Sequence, residues 1–218
     1  MFGEELSYPD RDYLGHPILT AVAPATDAPG IRDLLARHGV GSVYHWSPGR
    51  SVTSIIRLGI LSRAQLHRRG IRDWVQHGYG SPEKERALSG HVGVAFRVKP
   101  LMMREWSSTP VVLELDPETL VGEGTLFVPG NSAASRFPAS ELSTLRGTAA
   151  LDRLFVREQV LADGQAEAWI KDRIPSAAIR SLHVATPDLA QRLEARLQQW
   201  IGETRTVPVV VVSPTMFT

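Results

Sequence analysis

The residues of this chain that could do chemistry begin with a histidine at the end of a short apolar stretch. His45 follows the strand-like pair Val43 and Tyr44 and precedes a turn and a helix. A side chain at a strand end can point into a cleft, and a neutral imidazole offers one hydrogen-bond donor and one acceptor. Packing as a satisfied or surface histidine is the commoner role, so the pattern leaves both roles open.

Two further groups of side chains could serve a nucleic-acid partner. Trp46, Trp74 and Trp106 could stack on bases, although each is more often a core residue. The net charge of +1 gives the whole chain no attraction for phosphates, so a local patch would be needed. A set of basic residues could form that patch or simply a solvated helix face and loop: Arg68, Arg69, Arg72, Lys84 and Arg86.

The sequence argues against several kinds of site. It has no cysteine, which removes disulfides, thiol nucleophiles and cysteine-bound zinc and fits a reducing compartment. It has no dinucleotide fingerprint, phosphate-binding loop, HExxH or GxSxG motif, and its seven histidines do not pair at ligand spacing, so we expect no metal. No apolar run approaches a membrane span and the acidic N-terminus lacks a signal-peptide core, so we expect a cytoplasmic protein without a membrane partner.

Hydrophobic periodicity predicts the elements that must position these side chains. Helices are predicted at 29–40, 50–59, 63–70 and 187–202, the last with Thr186 as cap and Pro187 in its first turn. Strands are predicted at 42–46, 91–98, 109–116, 165–174, 179–186 and 206–214, with a short strand in 124–135. The last long strand is apolar enough to be buried on both faces, and the polar residues 71–90 predict an exposed loop.

This order of elements favours an α+β fold. The strands are separated by irregular loops, and the helices gather near both ends of the chain. Residues 1–28 lack periodicity and are predicted to form an arm or cap, with a single domain at 29–218. In the predicted strand 165–174, alternation places Glu167 and Trp169 on the same face.

Several stretches, in the same order along the chain, together resemble one family. "YHWSPGRSVTSIIRLGILSR" at 44–63 is similar to the first NAD-binding motif of the DarT-type DNA ADP-ribosyltransferases. "HVGVAFRVKPLMM" at 91–103 and "TPVVLELDPETL" at 109–120 resemble the family's central strands, and "GQAEAWIKDRIPSAAIRSLHV" at 164–184 resembles the segment that carries its catalytic glutamate. "FVPGNSAAS" at 127–135 and "SPTMFT" at 213–218 extend the resemblance, which leaves residues 1–28 outside.

The resemblance implies the ADP-ribosyltransferase fold, with two packed, strongly bent antiparallel sheets around an NAD cleft and helices around them. It implies transfer of ADP-ribose from NAD to thymine or guanine of single-stranded DNA, because such enzymes reach a base only when it is unstacked. It also implies a toxin or phage-defence role, with an antitoxin of macrodomain or NADAR type that removes the modification, and no metal.

The resemblance also assigns roles to particular residues. It implies that Glu167 is the catalytic carboxylate, next to the ribose on which positive charge builds as nicotinamide leaves. Arg86 is placed near the reacting base, where it contacts a phosphate or aids removal of the base proton, with Arg72 competing for that role. The residues implied to bind NAD are His45, Trp46, Ser47, Ser51, Gly59 and Leu61, and those implied to bind the acceptor are Met102, Arg72 and Asn131.

Structural alternatives stay open for these assignments. Glu167 could be a solvent-facing strand residue, Ser47 a turn residue, Gly59 a helix cap and Met102 core filling. For function, the alternatives are the same transfer to RNA or protein, or a catalytically inactive module that binds NAD or nucleic acid.

The sequence departs from the family pattern at a few positions. Ser51 stands where the family often has asparagine, which affects the nicotinamide side of the predicted site. Gly93 and Ala95 stand where bulkier residues are frequent, so we expect a substrate pocket of different shape.

Overall fold

A computed structural model describes residues 23–71, 82–98, 108–131, 139–201 and 208–217 of the chain. The helices are α1 (Ala28–Arg37), α2 (Val52–Leu58), α3 (Arg63–Arg68), α4 (Pro82–Leu88), α5 (Gly147–Asp152) and α6 (Pro187–Ile201). The strands are β1 (Val43–Pro48), β2 (Ile60–Leu61), β3 (His91–Ala95), β4 (Pro110–Leu115), β5 (Leu126–Val128), β6 (Phe155–Arg157), β7 (Val160–Leu161), β8 (Glu167–Lys171), β9 (Arg173–Ile174), β10 (Ile179–Val184) and β11 (Val209–Val212). Among the helices of these ranges, none is long and apolar enough to cross a membrane.

Seven of the strands form one sheet in the order β11-β10-β4-β1-β3-β8-β5, and β2 with β9 and β6 with β7 form two small pairs. Every pairing in the large sheet is antiparallel except that of β10 with β11. The α+β class predicted from the order of elements is therefore confirmed. The two packed sheets that the resemblance implies correspond to two halves of this seven-stranded sheet.

The two halves meet at the contact between β1 and β3. β1 pairs with β4 along its whole length, from Val43 to Pro48. With β3, in contrast, the described register contains a single residue pair, Tyr44 opposite Ala95. Beyond that pair, the described register joins no further residues of these two strands. This interruption of the ladder, called the split below, lies next to His45.

The main hydrophobic core lies on one face of the sheet. It combines strand residues such as Val94, Val111 and Leu113 with apolar side chains from α1, α2, α5 and α6. The opposite face carries two smaller clusters. One surrounds Trp169 and takes in Leu88 of α4, and the other joins Val112 to Phe217 with partly buried aromatic residues of β1.

Most predicted elements are present, with two corrections. The predicted exposed loop at 71–90 contains α4, which begins at Pro82, has acidic residues in its first turn and buries Leu88. The last strand, predicted to be buried on both faces, is an edge strand in which Val209 is 67% exposed. An apolar run records only side-chain type, whereas the place of a strand in the sheet depends on its partners.

A network of polar side chains ties the C-terminal edge of the sheet together. The carboxylate of Glu114 on β4 accepts hydrogen bonds from Ser42 at 2.5 Å and from Ser181 on β10 at 2.6 Å. His183 lies 3.1 Å from the same carboxylate through Nε2, and its Nδ1 lies 2.9 Å from the hydroxyl of Ser213, after β11. The bonds from Ser181 and Ser42, together with His183, lower the pKa of Glu114 to about 2.

We expect Glu114→Gln to lower the free energy of unfolding by about 2 kcal/mol, because bonds to a charged acceptor are lost. A carboxylate with a depressed pKa stabilises the fold above its ordinary pKa of 4.5, and that contribution disappears as pH falls toward about 2. The free energies of unfolding of wild type and variant, measured with urea, should therefore converge as the pH falls from 4.5 toward about 2.

The matched control is Glu118→Gln, which removes a charge from an exposed pair with Arg32. That change should cost less than about 1 kcal/mol, since exposed ion pairs contribute little. Equal losses in the two variants at neutral pH would contradict the structural role given to Glu114.

Candidate active site

His45 reaches across the split between β1 and β3. Its Nδ1 lies 2.9 Å from the backbone carbonyl oxygen of Gly93. Because a carbonyl can only accept, Nδ1 carries the proton and Nε2 of the neutral ring is an acceptor. The side chain thus joins β1 to the backbone of β3 next to the point where their ladder is interrupted.

The protonation state of His45 follows from its surroundings. Burial lowers the pKa of His45, because the loss of hydration penalises the imidazolium more than the bond to Gly93 stabilises it. The ring is neutral at pH 7, since even an unperturbed imidazole titrates near 6.5. A neutral ring with a fixed tautomer can accept a hydrogen bond from a hydroxyl group.

Glu167 is the first residue of β8, and its side chain is 8% exposed. It lies opposite Ala95 on β3, which lies opposite Tyr44 on β1. Two strand spacings therefore separate Glu167 from Tyr44, a backbone distance of about 10 Å. The carboxylate is thus held on a central strand, level with the residue before His45, and the solvent-facing alternative for Glu167 is wrong.

Trp169 shares the face of Glu167 and contacts it. The indole Nε1–H donates to Oε2 of Glu167 at 3.3 Å. The ring lies over Gly93, since a β-carbon placed there would come within 3.1 Å of two of its carbon atoms. The space opened by a small residue at 93 is therefore occupied by Trp169.

Gly93 thus connects the two principal candidates. Its carbonyl oxygen accepts a hydrogen bond from Nδ1–H of His45, and the indole that donates to Glu167 lies over its Cα. Sequence reasoning linked Gly93 only to the shape of the substrate pocket and gave Trp169 no role in the site. The available signals were the shared strand face of Glu167 and Trp169 and a glycine inside a strand, which often marks a close approach.

The two other candidates on β1 have different surroundings. Ser47 is buried, and its hydroxyl lies 3.4 Å from the carbonyl oxygen of Pro48. Trp46 is half-buried against the cluster of Val112 and Phe217, on the face that carries Tyr44. Core packing accounts for Trp46, and its contact with NAD stays a prediction.

Ser51, Gly59 and Leu61 lie on the segment around α2. Ser51 is the residue before α2 and makes no side-chain capping bond to it. Gly59 ends the helix, with its N–H on the carbonyl of Ile55 at 2.7 Å, and Leu61 is a buried residue of β2. Gly59 acts here as a helix cap, and NAD binding by these three residues stays a prediction.

Arg86 and Asn131 lie at the β5–β8 side of the sheet. Arg86 is exposed in the last turn of α4, the helix whose Leu88 belongs to the cluster of Trp169. Asn131 comes three residues after Val128, which lies opposite Glu167. Their roles stay predictions, and the predicted residues Arg72 and Met102, with Trp74 and Trp106, lie outside the described residues.

The described members of the predicted basic patch are not all exposed. Arg69 and Lys84 are buried, and Arg68 lies 3.7 Å from the carboxylate of Asp172. Only Arg68 and Arg86 of the described members are exposed. Within the described ranges there is also no group of three or more histidine and acidic side chains that could hold a metal ion.

This chain matches known proteins by structure and not by sequence. No protein-family model matches the chain, and no curated protein does. Among solved structures, Thermosipho africanus DarTG in complex with ADP-ribose superimposes with a TM-score of 0.57 and 18% identity over 81% of this chain. Thermus sp. 2.9 DarT in complex with ADP-ribosylated ssDNA has a TM-score of 0.54 and 15% sequence identity over 83% of this chain. The same protein in complex with NAD+ has a TM-score of 0.54 and 17% identity over 82% of this chain.

The chain has the DarT fold. The resemblance seen in the sequence motifs is thereby confirmed in the structure. The chain spans about half of the DarTG chain, 51%, and nearly all of the Thermus DarT chain, 97%.

Proposed function

We propose that this protein is an ADP-ribosyltransferase that takes NAD as donor and modifies a base of single-stranded DNA. The observation that carries the proposal is the buried carboxylate of Glu167 in one half of the sheet, with a neutral His45 of fixed tautomer in the other half, on a strand two spacings away. The shared fold adds support, because structures with that fold are complexes with NAD+ and with ADP-ribosylated ssDNA.

Glu167 would act on the donor. The bond between nicotinamide and C1 of its ribose breaks, the bonding electrons leave with nicotinamide, and positive charge develops on the ribose. A carboxylate beside that ring stabilises the charge, as in glycoside cleavage. Its place on a central strand fixes the carboxylate more rigidly than a loop would.

His45 would orient the donor. With Nδ1–H committed to Gly93, Nε2 can accept a hydrogen bond from a ribose hydroxyl. Ser47, two residues along β1, would contact the same molecule. These contacts hold the ribose in a reactive geometry and take no part in bond breaking.

The acceptor would be thymine or guanine. A ring nitrogen of the base forms the new bond to C1 and gives up its proton, for which Arg86 or Arg72 is the candidate assistant. A base within a duplex is stacked and paired, so single-stranded DNA is the easier substrate. A product of this kind would block replication, which fits a toxin or phage-defence role with an antitoxin of macrodomain or NADAR type.

Intact-mass spectrometry tests the proposal. Purified protein is incubated with NAD and single-stranded DNA oligonucleotides, each lacking one base, with RNA versions in parallel. We expect an ADP-ribose adduct on DNA that disappears when one particular base is omitted. NAD consumption with an adduct on protein or RNA alone would overturn the DNA acceptor, and no NAD consumption would leave the binding-module alternative.

A further inference from the structure

We infer that Trp169 is a positioning residue that orients the carboxylate of Glu167, and that Gly93 is required to seat its indole ring. The inference rests on the proposed function, because it matters for rate only if Glu167 acts on substrate. Residues i and i+2 of a strand share a face, so the indole stands beside the carboxylate on the same side of β8. Its Nε1–H is a donor only, which suits an acidic acceptor.

The strand register determines what the indole of Trp169 packs against. Gly93 lies directly opposite Trp169 in the pairing of β3 with β8. A β-carbon at 93 would lie 3.1 Å from Cη2 and Cζ2 and 3.3 Å from Cζ3 of the indole. Those atoms belong to the six-membered ring, so an alanine there would require the indole to shift by a few tenths of an ångström, which changes its bond to Glu167.

The surroundings of Trp169 restrict its other movements. The side chain is 7% exposed and packs in a cluster with Leu126, Val128 and Leu142. The ring is thus enclosed on the side away from Gly93. Its bond to Glu167, at 3.3 Å, is longer than the usual 2.9 Å, which is common for catalytic hydrogen bonds before substrate binds.

The same glycine also holds His45 through its carbonyl oxygen. Displacement of β3 at this position would therefore disturb both sides of the split. This arrangement predicts that side-chain changes at 93 act through the indole, whereas the carbonyl continues to hold His45. The two effects can be separated by a double-mutant cycle.

We expect Trp169→Phe, which retains an aromatic ring and removes the N–H, to reduce kcat by about tenfold to hundredfold with little change in KM for NAD. Gly93→Ala should reduce kcat similarly in wild type and add little in the Trp169→Phe background, because phenylalanine lacks the outer ring. Additive losses in the double variant, or an unchanged kcat for Trp169→Phe, would overturn the inference.

A readout that does not need activity completes the test. The chain has five tryptophans, and the indole N–H signal of Trp169 in a ¹H–¹⁵N spectrum is identified by its loss in Trp169→Phe. In Glu167→Gln this signal should move upfield more than the other indole signals, since it loses a charged acceptor. An unmoved signal would contradict the contact, whereas a moved signal without any NAD turnover would count against the proposed function alone.

Discussion

Replacing Glu167 with glutamine is expected to reduce NAD turnover in the presence of single-stranded DNA by about 10²- to 10³-fold, the usual effect of removing one group that stabilises transition-state charge. Glutamine keeps the size of the side chain and can still meet the indole of Trp169. The loss should therefore fall on kcat, with the KM for NAD changed much less.

The control for this result is Glu158→Gln, an exposed residue between β6 and β7. It removes the same charge from an exposed turn and should leave turnover unchanged. Thermal unfolding should show Glu167→Gln folded, because a buried carboxylate replaced by an amide of equal size leaves the packing in place. Full activity in Glu167→Gln would remove this residue from the mechanism.

Replacing Gly59 with alanine is expected to lower the free energy of unfolding by about 3 kcal/mol. Gly59 has φ 82° and ψ 177°, a backbone conformation that only glycine adopts readily, and forcing another residue there costs about 1–3 kcal/mol. An alanine β-carbon would also lie 2.4 Å from the carbonyl oxygen of Ile174, a backbone atom that cannot rotate away. Overpacking of this kind adds a further cost of about 1–3 kcal/mol.

Differential scanning fluorimetry would detect this loss as a fall in Tm of roughly 6 to 12 °C for a chain of this size. The control is Gly41→Ala, since nothing lies within 4 Å of a β-carbon at 41 and its backbone φ is not positive. Gly41→Ala should unfold close to wild type. A normal Tm for Gly59→Ala would show that the segment between α2 and β2 adapts, and would favour a binding role for Gly59.

Gly59 and His45 both belong to the segment 44–63, which resembles an NAD-binding motif, but they have different surroundings. Gly59 holds the end of α2 against β9, through the close approach to Ile174. His45, from the same motif, holds the split through Gly93. This one segment thus combines a candidate ligand contact at His45 with a structural requirement at Gly59, and only the surroundings distinguish the two residues.

The sequence alone determined the local elements and the faces of the strands. Apolar alternation in 165–174 places Glu167 and Trp169 side by side, and Thr186 before Pro187 marks the start of α6. Gly59 was also recognisable as a helix end, because glycine permits positive φ there. These features depend on residues a few positions apart, so the sequence pattern contains the information needed.

Only the tertiary structure decided which distant residues meet. The bond between His45 and Gly93 joins residues 48 positions apart, and the seat of Trp169 on Gly93 depends on the register of β3 against β8. The burial of Arg69 and Lys84 and the exposure of Val209 were likewise misjudged from residue type. Register, strand order and the split between β1 and β3 result from packing across the whole sheet, because a side chain's neighbours there come from strands that are remote in sequence.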